Sequence, residues 1–191
     1  RRRQRQMCIR DSASASAATL SLWNAVQTNQ RAERALRALL TFEGAHRRVL
    51  CHGDLRQSNV IIGRARVGFV DLELGGLGDP ARDLGMWLAE DLGFWLVPRD
   101  RREAMTLAQL RARLGAFMRA WEAEALALAL PGRAGARPRA MAWAAEALLR
   151  RVYTATFHDG HFSEREAHLT ASALELLEHP VKWARHFLGP R

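Results

Sequence analysis

The sequence predicts an α+β fold that is mostly α-helical and carries one small β-hairpin. Val60-Ile61-Ile62 and Val67-Gly68-Phe69-Val70 are short β-rich runs on either side of Gly63-Arg64-Ala65-Arg66, the composition of two antiparallel strands joined by a tight turn. Most of the remaining chain repeats its apolar residues at helical spacing instead. A chain of 191 residues with 48% hydrophobic content is long enough to bury one core.

Arg1-Arg2-Arg3-Gln4-Arg5-Gln6 is basic and of low complexity, and Met7-Cys8-Ile9-Arg10-Asp11-Ser12 resembles the translation of sequencing-adapter DNA. Residues 1–12 are therefore set aside as a non-native segment, leaving 13–191 as one domain. Residues 30–42 place Ala32, Ala35, Leu36, Leu39 and Leu40 on one stripe closed by Gly44, which predicts a helix. Val49-Leu50-Cys51 reads as a strand, preceded by the solvated pair Arg47 and Arg48. Pro80 is suited to open a helix with Leu84, Trp87 and Leu88 on one face. Further helices are predicted over 102–128, 138–157 and 163–188, the first two separated by the Pro131-Gly132-Arg133-Ala134-Gly135 loop. The last starts on a capping-box sequence, Ser163-Glu164-Arg165-Glu166, and is bent or broken at Pro180.

The hairpin gathers the groups that carry chemistry. His52-Gly53-Asp54-Leu55-Arg56-Gln57-Ser58-Asn59 leads into it, and Gly68-Phe69-Val70-Asp71-Leu72-Glu73 leads out. With the turn centred on Arg64-Ala65, Asn59 and Asp71 are expected opposite one another, their Cα atoms about 4.5 to 5.5 Å apart. An amide oxygen and a carboxylate then converge on one point. Hard oxygen ligands of this kind suit Mg²⁺, which prefers one or two carboxylates, waters and phosphate oxygens. Asp54, on the loop entering the hairpin, reaches the same pocket without being an obvious metal ligand. That leaves it to orient a hydroxyl and accept its proton. Taken singly, each residue also fits a turn, a cap or a solvated carboxylate; the ordered spacing makes the set specific.

These residues resemble the aminoglycoside phosphotransferase and choline kinase superfamily, a branch of the protein-kinase-like fold in which His-Gly-Asp-x-x-x-x-Asn replaces His-Arg-Asp-x-x-x-x-Asn. The close resemblance runs over residues 49–92. It implies that Asp54 is the catalytic Asp, that Asn59 and Asp71 are Mg²⁺ ligands, and that His52 braces the loop. Glu73, in an Asp-x-Glu arrangement, either assists the metal or is a plain surface carboxylate. Gly78-Asp79-Pro80-Ala81-Arg82-Asp83-Leu84 resembles the family's Gly-Asp-Pro-x-x-Asp-Leu segment, which implies that Asp83 hydrogen-bonds catalytic-loop backbone and opens a helix. The implied fold is the C-terminal catalytic lobe of a kinase-like protein, with a small β-hairpin at the catalytic loop. The implied activity is transfer of the γ-phosphate of ATP or GTP to a hydroxyl of a small metabolite or antibiotic. Kinase-like enzymes also need an N-terminal lobe with a phosphate-holding Lys and a glycine-rich or equivalent loop. That lobe is expected to be missing, because the residues before His52 hold neither feature and Lys182 is the single lysine. On this reading the nucleotide-binding residues are unknown, the N-terminal lobe is a required partner in cis, and the fragment alone is inactive.

Two other function classes compete. One is an inactive pseudokinase or helical interaction module of the same fold. The other is a metallophosphoesterase using His52, Asp54, Asn59 and Asp71, but the further His ligands of that class are absent from the sequence. His158, His161 and His168 hint at a zinc trio that no carboxylate or Cys completes. The helices after Asp71 are expected to hold the acceptor. From 99 to 191 there are ten acidic and fifteen basic residues without an acidic cluster, which argues against a polycationic acceptor. Trp87, Trp95, Trp121, Trp143 and Trp183 fit a pocket wall or a cation cage, but at helical spacing they read as core. Net charge is +9, with 28 arginines to one lysine, a coding bias rather than a nucleic-acid signature. Residues 52–91 carry seven acidic side chains and four arginines, which suits a cation and repels a phosphate backbone. No apolar run approaches a membrane span. Two cysteines give no disulfide framework and point to a reducing, cytoplasmic setting.

Overall fold

Ser16 opens the described chain as a helix cap: its hydroxyl accepts the Thr19 N–H at 3.1 Å and starts α1 (Ala17–Thr28). The computed structural model describes residues 16–45, 49–98, 100, 104–159 and 161–189. Segment 1–12, Arg47, Arg48 and the His158 side chain lie outside the described residues. Helix α1 was not expected from its Ser-rich start, yet Ala18 and Leu22 are buried. Asn29 then turns the chain, accepting the Ala32 N–H at 3.1 Å and donating to Glu178 at 2.6 Å. Helix α2 (Gln30–Ala45) runs through Gly44 rather than ending there. Its inward stripe is narrower than the pattern suggested, with Ala32 and Leu39 buried but Leu40 exposed.

Strand β1 (Val49–Cys51) pairs antiparallel with β4 (Gly76–Gly78), Val49 opposite Gly78 and Cys51 opposite Gly76. Between them, β2 (Val60–Ile62) and β3 (Val67–Phe69) form the expected hairpin. The β1–β4 ladder closes the base of the excursion from 52 to 75. Gly-Leu-Gly has little strand propensity, so this second sheet left no local signal.

Five helices follow: α3 (Pro80–Leu96), α4 (Leu107–Ala127), α5 (Ala136–Asp159), α6 (Glu164–Glu178) and α7 (Pro180–Leu188). Helix α4 starts later than predicted, because Thr106 and Gln109 form a reciprocal capping box there. The Ser163–Glu166 box is present, and Pro180 divides the predicted 163–188 segment into α6 and α7.

Helix α3 packs most closely on α5, and Gly85 allows it. A Cβ at that position would lie 2.3 Å from Trp143 Cβ and 2.6 Å from the Ala140 carbonyl oxygen. Leu84, Leu88 and Leu92 of α3, Leu110, Leu114 and Met118 of α4, and Trp143 and Leu148 of α5 fill the core. Trp95, Trp121 and Trp183 pack partly buried against the same cluster, and Trp87 stacks on Phe117 at 5.4 Å. None of the described helices is long and apolar enough to cross a membrane.

Candidate active site

Strand β1 delivers the chain to Gly53, where only glycine fits. Its φ is +81°, and an added Cβ would meet the Leu74 carbonyl oxygen at 2.2 Å. The turn aims the N–H groups of His52 and Gly53 at α3. There the two oxygens of Asp83 accept them, His52 N at 2.6 Å and Gly53 N at 2.9 Å. Asp83 sits half-buried in the first turn of α3, behind the Asp79 cap and Pro80.

His52 is buried and ties the loop to the hairpin. Its Nε2 lies 2.9 Å from the Val70 carbonyl oxygen, which makes Nε2–H the donor and leaves Nδ1 to accept the Asp54 N–H at 3.4 Å. The ring therefore spans the residue before Asp71 and the residue expected to act as base.

Asn59 is also buried. Its Nδ2 donates to the Asp54 carbonyl oxygen at 3.0 Å and to Asp54 Oδ2 at 3.3 Å, which orients Oδ1 as the free face of the amide apart from a 3.3 Å contact with Ser58. The register differs from the expected one. Gly63 N–H bonds the Arg66 carbonyl at 2.9 Å across the two-residue loop, Val60 faces Phe69, and Val70 N–H reaches the Asn59 carbonyl at 3.0 Å. A turn centred on Arg64-Ala65 thus sets Val70, not Asp71, opposite Asn59. Asp71 is one residue further and would alternate to the other face of a continued strand. It instead adopts a left-handed conformation, φ 65° and ψ 52°, and ends the ladder. Asp71 is exposed, as is Glu73 on the 3₁₀ turn Leu72–Leu74.

Asp54 is less free than the sequence suggested. Arg56 donates to its Oδ2 from Nε at 2.9 Å and from Nη2 at 2.5 Å. The Arg56 guanidinium is held above its ordinary pKa, first by this hydrogen bond, against the opposing effect of desolvation, and further by the charges of Asp54, Glu90 and Asp71. Asp71 and Glu90 are thus within electrostatic reach of the same cation. A cleft of about 430 Å³ opens beside Asp54, walled by Arg56, by Met86 and Glu90 of α3, and by Arg150, Arg151 and Thr154 of α5.

Several supports join residues whose partners no motif reveals. Gln57 Nε2 donates to Asp91 Oδ1 at 3.1 Å, and Arg113 forks onto the same buried carboxylate at 2.8 and 3.2 Å. Asp79, 1% exposed, caps Ala81 N at 3.1 Å and takes Arg139 Nε at 2.9 Å and Trp143 Nε1 at 3.4 Å. Arg56, Glu90 and Arg151 were likewise not singled out as site residues. Arg56 lies inside the His52–Asn59 loop, whereas Glu90 and Arg151 stand on α3 and α5 with no motif around them. Among the described residues no three His, Cys, Asp or Glu side chains form a metal-holding group.

No curated protein matches the chain in sequence. A family model described as "APH: Phosphotransferase enzyme family" matches residues 2–127, more than half of the chain. That match takes in both hairpin strands, the loop braced by Asp83 and helix α3, which flanks the cleft on one side, and on it the chain belongs to the phosphotransferase enzyme family.

Proposed function

We propose that this chain carries the catalytic lobe of a small-molecule kinase, which moves the γ-phosphate of ATP or GTP to an alcohol. The observation that carries the reading is Asp54, a carboxylate at the wall of a 430 Å³ cleft and in contact with Asn59. Asp54 orients the acceptor hydroxyl and takes its proton. Asn59 Oδ1 and the exposed Asp71 carboxylate, one residue past the partner of Asn59, are the hard oxygens that would hold Mg²⁺, with Glu73 two residues on as a further carboxylate. When bound there, Mg²⁺ supplies charge neutralisation at the phosphate oxygens. His52 and Asp83 hold the loop in shape and touch no substrate.

The nucleotide clamp belongs to a second lobe. Leu50, Ile61, Ile62, Phe69, Leu72, Leu74 and Leu77 are all exposed on the β-strand region. Leu50, Ile62 and Phe69 line one cleft with Pro80 and Trp87, while Ile61 lies on the opposite face of its strand; exposed apolar surface of this kind marks a contact, and it is where a phosphate-holding lobe would sit. The chain alone therefore has negligible turnover, and the enzyme works in the cytoplasm.

The Asp54–Arg56 pair favours a second reading, a catalytically silent member of the fold. Transfer of labelled γ-phosphate to a panel of alcohols, with the nucleotide lobe joined in cis, separates the two. Asp54→Asn is expected to abolish transfer while leaving Mg²⁺-nucleotide binding nearly unchanged, whereas Asp71→Ala weakens both. Equal loss of nucleotide affinity in the two variants would remove Asp54 from its assigned role. Absence of transfer to every alcohol in the joined protein would favour the silent form.

A further inference from the structure

We infer that the acceptor is an alcohol carrying an oxyanion, a carboxylate or a phosphate monoester, and that this anion draws Arg56 away from Asp54. The inference rests on the phosphotransferase reading and names the substrate class of the same cleft.

The cleft wall carries three guanidinium groups against two carboxylates, Asp54 and Glu90. The three cations differ in how firmly they are held. Arg150 is committed, with Nη2 bonded to both Glu146 oxygens at 2.7 and 2.8 Å. Arg151 is not: its Nη1 stops 4.0 Å from Glu90 Oε1, outside hydrogen-bond reach, and its side chain is 42% exposed. It crosses α3 over Gly93, where an added Cβ would meet Arg151 Nη1 at 2.9 Å. Helix α3 therefore carries a notch that lets this guanidinium lie along the cleft. Arg56, 52% exposed, is the third.

Arg56 is also an obstacle. Its Nε–H and Nη2–H both end on Asp54 Oδ2, so the oxygen that would receive a hydroxyl proton is already occupied. Catalysis needs Asp54 Oδ2 released or its partner turned. An oxyanion in the cleft offers Arg56 an alternative fork of the same geometry, since guanidinium groups bind carboxylate and phosphate in the same bidentate way. Arg151 supplies the second contact to that anion, and Glu90 is placed to accept from a further hydroxyl. With Arg56 turned, the acceptor hydroxyl gives its proton to Asp54 as its oxygen bonds the γ-phosphorus and the nucleoside diphosphate leaves. A polycation meets the opposite arrangement: it is repelled by Arg56 and Arg151, and the carboxylates that would hold it are already paired or face them.

The cleft lies wholly within this chain, so binding is testable without turnover. Calorimetric titration of the chain uses glycerol 3-phosphate, glycerate, glycerol, inorganic phosphate and neomycin as probes. Glycerol 3-phosphate and glycerate are expected to bind at least about tenfold more tightly than glycerol or inorganic phosphate, with the advantage over glycerol shrinking at about 0.5 M NaCl. Arg151→Gln should remove about tenfold of that advantage and leave glycerol unaffected, with Arg151→Lys recovering part of it. The Nε–H resonance of Arg56 should shift with glycerol 3-phosphate and not with glycerol. Equal binding of glycerol, inorganic phosphate as tight as its ester, tighter binding of neomycin, or an Arg151→Gln variant with unchanged affinities would each overturn the inference. The two readings fail separately. Oxyanion binding without phosphate transfer in the joined protein would sink the kinase reading, and transfer without oxyanion preference would sink this one.

Discussion

Asp83 holds the backbone of His52 from 31 residues away, accepting its N–H at 2.6 Å while the second carboxylate oxygen takes Gly53 N–H at 2.9 Å. Asp91, eight residues further along α3, receives Gln57 from the other end of the same loop. Eight residues of α-helix span about 12 Å, so one helix fixes both ends of the loop that carries Asp54. Asp54 is positioned by α3 rather than by the hairpin alone.

Removing the Asp83 carboxylate leaves two backbone donors without their acceptor in a half-buried setting. Asp83→Ala is therefore expected to lower stability by about 1 to 3 kcal/mol and to lower the melting temperature. Asp83→Asn keeps one good acceptor and should fall between. Thermal and urea unfolding of the three proteins check this; a variant that melts with the wild type would show that the contact adds nothing to stability.

The Asp79–Arg139 pair is more deeply buried, with side chains 1% and 16% exposed. Arg139 also donates to the Ala134 carbonyl at 2.6 Å and covers the Phe42 ring at 4.7 Å. Arg139→Ala strands a buried carboxylate and frees the loop before α5, at a cost of about 3 to 5 kcal/mol. Asp79→Asn retains the cap on Ala81 and removes the charge, so its loss should be smaller. Urea unfolding midpoints at constant slope decide the order, and the reverse order would mean that an unpaired Arg139 guanidinium costs more than an unpaired Asp79 carboxylate.

The loop from His52 to Asn59 was readable because its pattern is written in consecutive residues. The hairpin turn was readable from Gly63 and its flanking apolar runs. The partner of Asn59 follows from that same turn, which pairs residue 59 with residue 70; the expected pairing with Asp71 is one residue out of register, and Asp71 leaves the strand by a left-handed turn. Asp79–Arg139 and Asp91–Arg113 join residues 60 and 22 positions apart, and no local pattern marks such partners. Helix α1 carries a weaker pattern: Ser16 caps it, but only Ala18, Thr19 and Leu22 are buried along its length.

Gly85 is the contact point of α3 with α5. An added methyl at 2.3 Å from Trp143 Cβ must push the helices apart, because the neighbouring atoms are backbone and a fully buried ring system. Gly85→Ala is expected to cost about 1 to 3 kcal/mol through overpacking, despite the better helix propensity of alanine. Thermal melting of the single variant measures it, and a gain in stability would show that α3 and α5 have room to separate.

Acid should loosen the α6–α7 corner in two stages. Glu175 has its pKa lowered, first by the hydrogen bond from Lys182 at 3.0 Å and then, against desolvation, by the charges of Lys182 and His179. His186 has its pKa lowered by desolvation first, then by Arg111 and Lys182. Both folded values lie below the unfolded ones, so in both cases the unfolded chain binds the proton first as pH falls. The contribution of His186 is complete above about pH 6.5 and is lost below it, and that of Glu175 is complete above about pH 4.5 and is lost as pH falls through the folded value. Melting temperature is expected to decline through the imidazole range and again through the carboxylate range. His186→Gln should flatten the first decline, and Glu175→Gln the second. Because Glu175 and Lys182 are substantially exposed, added salt should shrink the second step. A melting temperature that rises on acidification through either range would contradict the direction derived from these contacts.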